Sequence, residues 1–326
     1  MSRPAPTPTP ARAVPHATRA TDRPVRDRAS HRITTIDMNR SNSSFAATSA
    51  RAVSSVTSIA QACVAGAAVL AVTAAQAQST APAAASAAPA TSTYTLGAGV
   101  AVTSRYSGSD ETMAVPLIAA DYQHSSGFFA STMRGLGYGG ATNGISYSAS
   151  VGYRGPRYDQ KKQRGGFSTG SDFLRGMGEV KGSATGNLSV GYAVLPWLDL
   201  QVRTEQPLTK RENGATYSLG ASAKLMNDAT DTIGVSVGGT AGDSKYMQTY
   251  YGVSAAQAAR TAFKAYTPKS GFKEIEAGVN WQHRFDSHWS VTGAVGAQTL
   301  VGDAAKSPLV RRKTTPVAAV YGSYTF

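Results

Sequence analysis

Few side chains beyond residue 77 could do chemistry. A barrel-surface hydrolase needs a Ser, a His and an acid or amide within hydrogen-bond reach of one another. The histidines available are His124, His283 and His288. His283 alternates with Trp281 and Phe285, and His288 adjoins Trp289, so both read as members of an interfacial aromatic belt. His124 lies in a His-Ser-Ser-Gly turn with no motif around it. Asp303 and Ser307 stand beside Pro308, where an Asx-type turn accounts for them without catalysis. No G-x-S-x-G, phosphate-cradling loop or metal-ligand spacing occurs. The reading is non-enzymatic, with no catalytic, cofactor-binding or metal-binding residue assigned. The one cysteine, Cys63, falls inside the exported leader described below, which leaves no disulfide, thiolate zinc site or Cys nucleophile after cleavage.

A second group of chemically capable residues is charged. Arg203, Glu205, Lys224, Glu274, Glu276 and Arg284 each fall on the polar face of an alternating segment. Two uses are open to them: a salt-linked plug inside a small barrel, or the lining of a selective pore.

The segments that hold these residues have a strict period of two, which sends successive side chains to opposite faces of a strand. In Lys273–Phe285, one face carries Ile275, Ala277, Val279, Trp281, His283 and Phe285, and the other Glu274, Glu276, Gly278, Asn280, Gln282 and Arg284. Residues 214–225 and 231–241 repeat the pattern, as do 94–103, 143–154, 187–195, 197–206, 288–301 and 316–326. Segments 115–123 and 127–138 alternate less cleanly, and 172–182 least of all. Most are about 10 residues long, the length of a tilted strand crossing a bilayer. Ala255–Lys264 is the one stretch with a helical texture, and it lies within a loop.

Alternation alone fits a soluble sandwich as well as a membrane barrel. Three features select the barrel. The chain carries an export signal and loses its cysteine with it. It ends on an amphipathic strand, Ala318, Val320, Gly322, Tyr324 and Phe326, closed by an aromatic residue. Aromatics also mark the strand ends (Tyr94, Tyr122, Tyr138, Tyr153, Tyr192, Trp197, Trp281, Phe285, Trp289), where a headgroup girdle places them. The expected fold is all-β, a transmembrane antiparallel up-and-down β-barrel in the outer membrane. Tyr324 and Phe326 would form the signal read by the barrel assembly machinery. Counting 172–182 gives twelve strands and makes 155–171 a periplasmic connection. Dropping it together with 94–103 gives ten and turns 155–186 outward. In both counts 242–271 and 302–315 are external.

The first third of the chain has a different texture. Residues 1–37 are rich in Pro, Arg, Thr and Ala, with no hydrophobic period, and read as a disordered or mis-called extension. Residues 38–77 read as a signal peptide: Arg40 and Arg51 precede an apolar run from Ala62 to Ala75, and Ala75-Gln76-Ala77 is its cleavage site. Residues 78–92 form a Pro/Ala/Ser linker, and 93–326 the barrel. The formal charge of +13 falls to +7 after cleavage, with 23 basic and 16 acidic residues remaining. Those cations are scattered apart from Lys161-Lys162 and Arg311-Arg312-Lys313, which argues against nucleic acid as a partner. In external loops such clusters either face lipopolysaccharide phosphates or are simply solvated.

Two longer motifs carry a resemblance. Tyr246-Met247-Gln248-Thr249-Tyr250-Tyr251-Gly252-Val253-Ser254 and Gly302-Asp303-Ala304-Ala305-Lys306-Ser307-Pro308-Leu309-Val310 resemble the loop motifs of the MipA/OmpV outer-membrane proteins. Shorter matches are Tyr106-Ser107-Gly108-Ser109, Leu174-Arg175-Gly176-Met177-Gly178 and His288-Trp289, so the resemblance spans about residues 94–326. Lys306 departs from it, since that position is often Asp in the family. The resemblance implies a scaffold joining a lytic murein transglycosylase to a murein synthase, and otherwise an adhesin or a modulator of envelope permeability. It also directs attention to Tyr246, Tyr250, Tyr251, Gly252, Val253, Gly302, Asp303, Ser307 and Pro308 as the family's loop residues. Tyr250, Tyr251 and Pro308 are expected to pack those loops over the barrel mouth.

Overall fold

Segments with period two must pair, because each strand otherwise leaves a row of unmet N–H and C=O groups. A computed structural model describes residues 91–164 and 167–326. The strands are β1 (Thr93–Ser104), β2 (Thr112–Gln123), β3 (Phe128–Ser131), β4 (Gly135–Thr142), β5 (Ile145–Arg154), β6 (Lys162–Arg164), β7 (Phe167–Thr169), β8 (Ser183–Leu195), β9 (Leu198–Pro207), β10 (Thr216–Asn227), β11 (Asp231–Gly242), β12 (Gly271–Arg284), β13 (Trp289–Leu300) and β14 (Thr314–Thr325). Twelve of them, all but β6 and β7, form one closed antiparallel barrel in chain order, sealed where β14 meets β1 (Thr95 opposite Thr325). Strands β6 and β7 make a separate hairpin. Two helices, α1 (Ser244–Tyr251) and α2 (Ala255–Ala258), lie in the connection between β11 and β12. The segment 1–37, the signal peptide with Ala75 and Ala77, and all but the last two residues of the 78–92 linker lie outside the described residues.

Alternation resolves into an outside and an inside. Outward residues are large, apolar and exposed, as in Leu96, Val100, Val202, Leu219, Val237 and Val295. Leu219, 55% exposed, points opposite to the polar Ser218 and Ser222 of the same strand. A water-soluble sheet would bury those side chains; an exposed apolar belt around a polar lumen is the pattern of a barrel in lipid. Glu274, Arg203, Glu205 and Lys224 share the inward parity. At the top of β12 the register slips between Thr240 and Ala241, and this bulge turns both Lys273 and Glu274 inward.

The strand number agrees with twelve, but its composition differs from the sequence reading. The segment 172–182 is not a wall strand. It holds a short 3-10 turn at Asp172–Leu174 and a single bridge between Arg157 and Val180. The missing strand comes from 127–138, which is two strands: Ser131 Oγ accepts from the N–H of Met133 and of Arg134, and Gly135 takes φ +81°, so the chain reverses there. This inverts the side of the connection after β5, and the loss of 172–182 as a wall strand restores the expected sides from β8 onward. Residues 155–182 lie at the same rim as 105–111, 208–215, 243–270 and 301–313, opposite the rim that holds both Thr93 and Thr325. The periplasmic placement of 155–171 expected from the twelve-strand count is therefore corrected. The helical stretch Ala255–Lys264 shrinks to α2, stopped after one turn although Ser254 and Gln257 form a capping box.

Candidate functional site: a folded cap in the long-loop rim

The long connections meet over the lumen as a packed cap. Helix α1 starts where the Asp243 carboxylate accepts from the Tyr246 N–H at 2.7 Å, filling an otherwise orphaned donor. One helical turn then places Met247 and Tyr251 on the same face. Both are fully buried and pack with Leu300 and Ala304. A second apolar cluster joins Tyr106, Leu174, Met177, Val253 and Leu309, drawn from four different connections. Gly108, at φ +98°, lies so close to Val310 that a Cβ would clash, which lets 105–111 dock against 301–313.

Hydrogen bonds lock the clusters together. The Tyr106 hydroxyl donates to the Leu309 carbonyl at 3.0 Å, and Ser307 Oγ donates to the Tyr251 carbonyl at 2.6 Å. The Tyr251 and Ser107 hydroxyls are 2.7 Å apart. The Tyr266 hydroxyl donates to the Asp303 carbonyl at 2.8 Å, and the Asp303 carboxylate accepts from the Lys269 N–H. That N–H, with Lys306 at 3.2 Å, holds the Asp303 carboxyl below the ordinary carboxylate range. Lys306, the departure from the family pattern, thus pairs within its own turn.

Beneath the cap sits a layer of buried cations and tyrosines. Arg157 donates to the carbonyls of Tyr250 (2.8 Å) and Thr249 (3.2 Å), and burial pushes its guanidinium below the usual range. Arg154 pairs with Glu205 at 2.5 Å and donates to the Asn213 and Gly214 carbonyls. Its guanidinium stands 5.1 Å from the Tyr246 ring centre, and the Lys273 ammonium stands 5.6 Å from the same ring. Lys273 and Glu274 form a buried ion pair. Desolvation raises the phenols of Tyr246 and Tyr250 to about 12.

The family-motif residues therefore meet at one place. Tyr246, Tyr250, Tyr251, Val253 and Ser307 contribute side chains to the cap, Asp303 ties its rim, and Gly252 and Gly302 supply backbone turns. Pro308 is half-buried beside them. Sequence reading did not find Arg154 or Lys273, and it took Arg157 as one of the exposed cations of 155–171 rather than as a buried one. The sequence signal of Arg154 and Lys273 was a cation at the loop end of an alternating strand.

The opposite rim has short turns. Asp228 and Asp286 each accept two backbone N–H groups, and these bonds hold their carboxyls low. The three histidines are not brought together. His124 contacts Ser126 (2.8 Å), His288 contacts Ser287 (2.9 Å), and His283 contacts Asp231 (2.9 Å). Tyr324 stacks on His288 and meets Trp289 and Phe326 edge-on, and the Phe326 N–H donates to the Tyr94 carbonyl. Among the described residues no cluster of His, Cys, Asp or Glu could hold a metal ion.

A closed twelve-stranded antiparallel barrel with an apolar exterior and a capped mouth belongs to the outer-membrane barrel class. The family described as MltA-interacting protein MipA matches residues 96–326, and the chain belongs to that family. Relatives include the MltA-interacting proteins of Escherichia coli (strain K12) and Shigella flexneri, each 25% identical over 241 residues, covering 72% of this chain and 90% of the relative. Solved structures give only loose likenesses. The toluene transporter TodX of Pseudomonas putida has a TM-score of 0.35 at 9% identity, covering 73% of this chain and 90% of that one. An anion-selective porin from Comamonas acidovorans has 0.31 at 8%, covering 72% and 99%.

Proposed function

We propose that this protein is a non-enzymatic outer-membrane scaffold whose short-turn rim faces the periplasm and binds murein enzymes, a lytic transglycosylase and a murein synthase. The observation that carries this reading is the cap: a mouth filled by two apolar clusters, with Met247, Tyr251, Leu174 and Leu309 all within 1% of full burial, is suited to closure rather than to solute flow. The family description supports the transglycosylase half of the reading. On this reading the periplasmic surface comprises the turns 124–127, 143–144, 196–197, 228–230 and 285–288, with the linker that precedes Thr93. Segment 155–171 leaves that surface and joins Arg312 and Lys313 outside, where cations face lipopolysaccharide phosphates. Tyr324 and Phe326 serve as the signal for the assembly machinery.

The test is co-purification from detergent extracts of outer membranes, with the barrel carrying either native turns or the double change Asp228→Lys and Asp286→Lys. Retention of a lytic transglycosylase by the native barrel and its loss from the variant is expected. Equal recovery with both barrels removes the turns from the interface, and recovery with neither ends the scaffold reading. The pore alternative rests on the polar lumen (Asp199, Gln201, Arg203, Ser222); large, steady, ion-selective conductance in planar bilayers would put it first.

A further inference from the structure

Several cations at the long-loop rim are answered by acids, as Lys161 is by Glu111, Lys162 by Glu179 and Arg311 by Asp110. One group of four is not. Lys181, Lys210, Arg211 and Lys245 are all exposed and form no ion pair among the described residues. They come from three connections yet meet around one buried side chain, Asn213, which is 2% exposed. Its Nδ2 donates to the Lys181 carbonyl at 2.8 Å, and its N–H donates to the Lys210 carbonyl at 2.9 Å. Arg211 opens the 3-10 turn Arg211–Asn213. On α1, Thr249 Oγ1 donates to the Glu212 carbonyl, and Lys245, one helical turn before Thr249, stands on that same face. Nearby acids offset little: the Asp243 carboxylate already caps α1 and Glu179 already holds Lys162, which leaves Glu212 against four positive charges.

Lys210 holds its place against the local backbone. It is left-handed (φ +52°, ψ +55°) and opens the 3-10 turn with no side-chain cap. Asn or Gly suits such a position better, so a lysine there carries a conformational cost. Just below it the lipid-facing wall changes character. Val202 and Leu219, opposite each other on β9 and β10, are 63% and 55% exposed. One outward step nearer the rim the pair is Thr204 and Tyr217, and Gln206 Nε2 donates to both hydroxyl oxygens, at 2.9 and 3.3 Å. Hydrocarbon gives way to hydrogen-bonding groups at this height. Tyr153 rises on the same outer face until its hydroxyl meets Gly182, the neighbour of Lys181. The four cations therefore stand directly above an interfacial girdle.

We propose that Lys181, Lys210, Arg211 and Lys245 seat the phosphorylated headgroup of one lipopolysaccharide molecule, whose acyl chains descend over Tyr217, Leu219 and Val202. The occupant follows from the two halves of the surface. Positive charge with little acid to answer it suits phosphate, and its place at the edge of an apolar belt suits phosphate that carries acyl chains. Between the two, Gln206 and Thr204 offer an amide and a hydroxyl to the sugar and to the acyl carbonyls. The proposal rests on the reading of the long-loop rim as the outer face, since this lipid occupies the outer leaflet.

The detergent-purified barrel is titrated with bisphosphorylated lipid A, and the bound form is measured by native mass spectrometry. Lys210→Asn with Arg211→Gln removes two charges at the seat, and Lys264→Gln with Lys269→Gln removes two elsewhere on the same rim. The seat variant is expected to bind lipid A about thirtyfold more weakly, and the control to stay within about twofold of native. Asn relieves the backbone at position 210, so thermal unfolding of the seat variant should not fall with its binding. Lys181→Gln with Lys245→Gln, which leaves that turn untouched, should weaken binding to a similar degree. Undiminished binding in both seat variants overturns the seat, and equal weakening in the control reduces it to diffuse attraction and overturns it too. Phosphatidylglycerol bound as tightly as lipid A, or lipid A displaced by millimolar pyrophosphate, overturns the assigned occupant. Sidedness is read separately. An impermeant maleimide that reaches Lys210→Cys only after the outer membrane is opened overturns the outward placement, whatever the affinity in detergent.

Discussion

Single residues in the cap differ sharply in what they hold. Lys273 and Glu274 are both about 4% exposed and form an ion pair, so removing one partner strands a charge away from water. Lys273→Ala should therefore cost about 3–5 kcal/mol, while Lys273→Met combined with Glu274→Gln should cost much less. Thermal unfolding of the two variants in detergent measures the difference; equal losses would mean that the pair is not buried as described. Tyr251 does two jobs, filling the core beside Met247 and anchoring Ser107 through its hydroxyl. Tyr251→Phe should cost about 1 kcal/mol and Tyr251→Ala about 3–5 kcal/mol, read as protease sensitivity of 243–270 rather than as loss of the barrel. Alkali tests the layer below. Tyr246 and Tyr250 titrate at about 12 when folded, against an ordinary value near 10. The folded cap then binds more protons than the unfolded one between those values, so its stability falls as pH rises from about 10 to 12. An ultraviolet phenolate titration should show these two rings ionising late, and cap cleavage should rise over the same window. Early ionisation of every tyrosine would contradict their burial.

At the scale of elements, strand periodicity carried most of the fold. The clean segments, such as 231–241 and 273–285, became β11 and β12 almost as drawn, because one face meets lipid and the other the lumen. The failures share a cause. Segment 127–138 was read as one strand although Ser131, Arg134 and Gly135 make a reversal; turn chemistry was present but hidden inside an alternating stretch. Segment 172–182 alternated by accident, and its apolar residues Leu174 and Met177 serve the cap instead. Cap residues such as Arg154 and Arg157 were not legible, since their burial depends on loops distant in sequence. The terminal strand was legible to its last residue. Phe326 is mostly exposed, set edge-on to Tyr324 and bonded through its N–H to the Tyr94 carbonyl, so it closes the seam between β14 and β1. Deleting it should reduce the heat-modifiable, folded form on gels while leaving synthesis unchanged. An unaltered folded fraction would mean that neither the seam nor the assembly signal needs this ring.

For the whole molecule, sidedness follows from counting reversals, and one revised turn inverts it for a single loop. Because β3 and β4 are two strands, β5 runs away from the rim that holds Thr93 and Thr325, and the connection after it emerges at the other rim. Independent contacts agree. Arg105, which follows β1 at that rim, donates to the Ser168 and Gly170 carbonyls, and Lys161 pairs with Glu111 at 2.9 Å. Arg157 reaches the Thr249 and Tyr250 carbonyls of α1. These bonds cannot form if 155–182 and 243–270 lie on opposite sides of a membrane. A barrel with its termini in the periplasm must then show residue 163 to the outside. Gln163 is exposed in β6, and its hairpin partner Ser168 is the residue that Arg105 holds. The variant Gln163→Cys should react with an impermeant maleimide on intact cells, as strongly as a cysteine placed at Lys313 and unlike one placed at Asp286. Labelling of 163 and 313 together ties both loops to one face. Protection of 163 with labelling of 313 would break the strand count, and with it the removal of 155–171 from the rim proposed to face the periplasm.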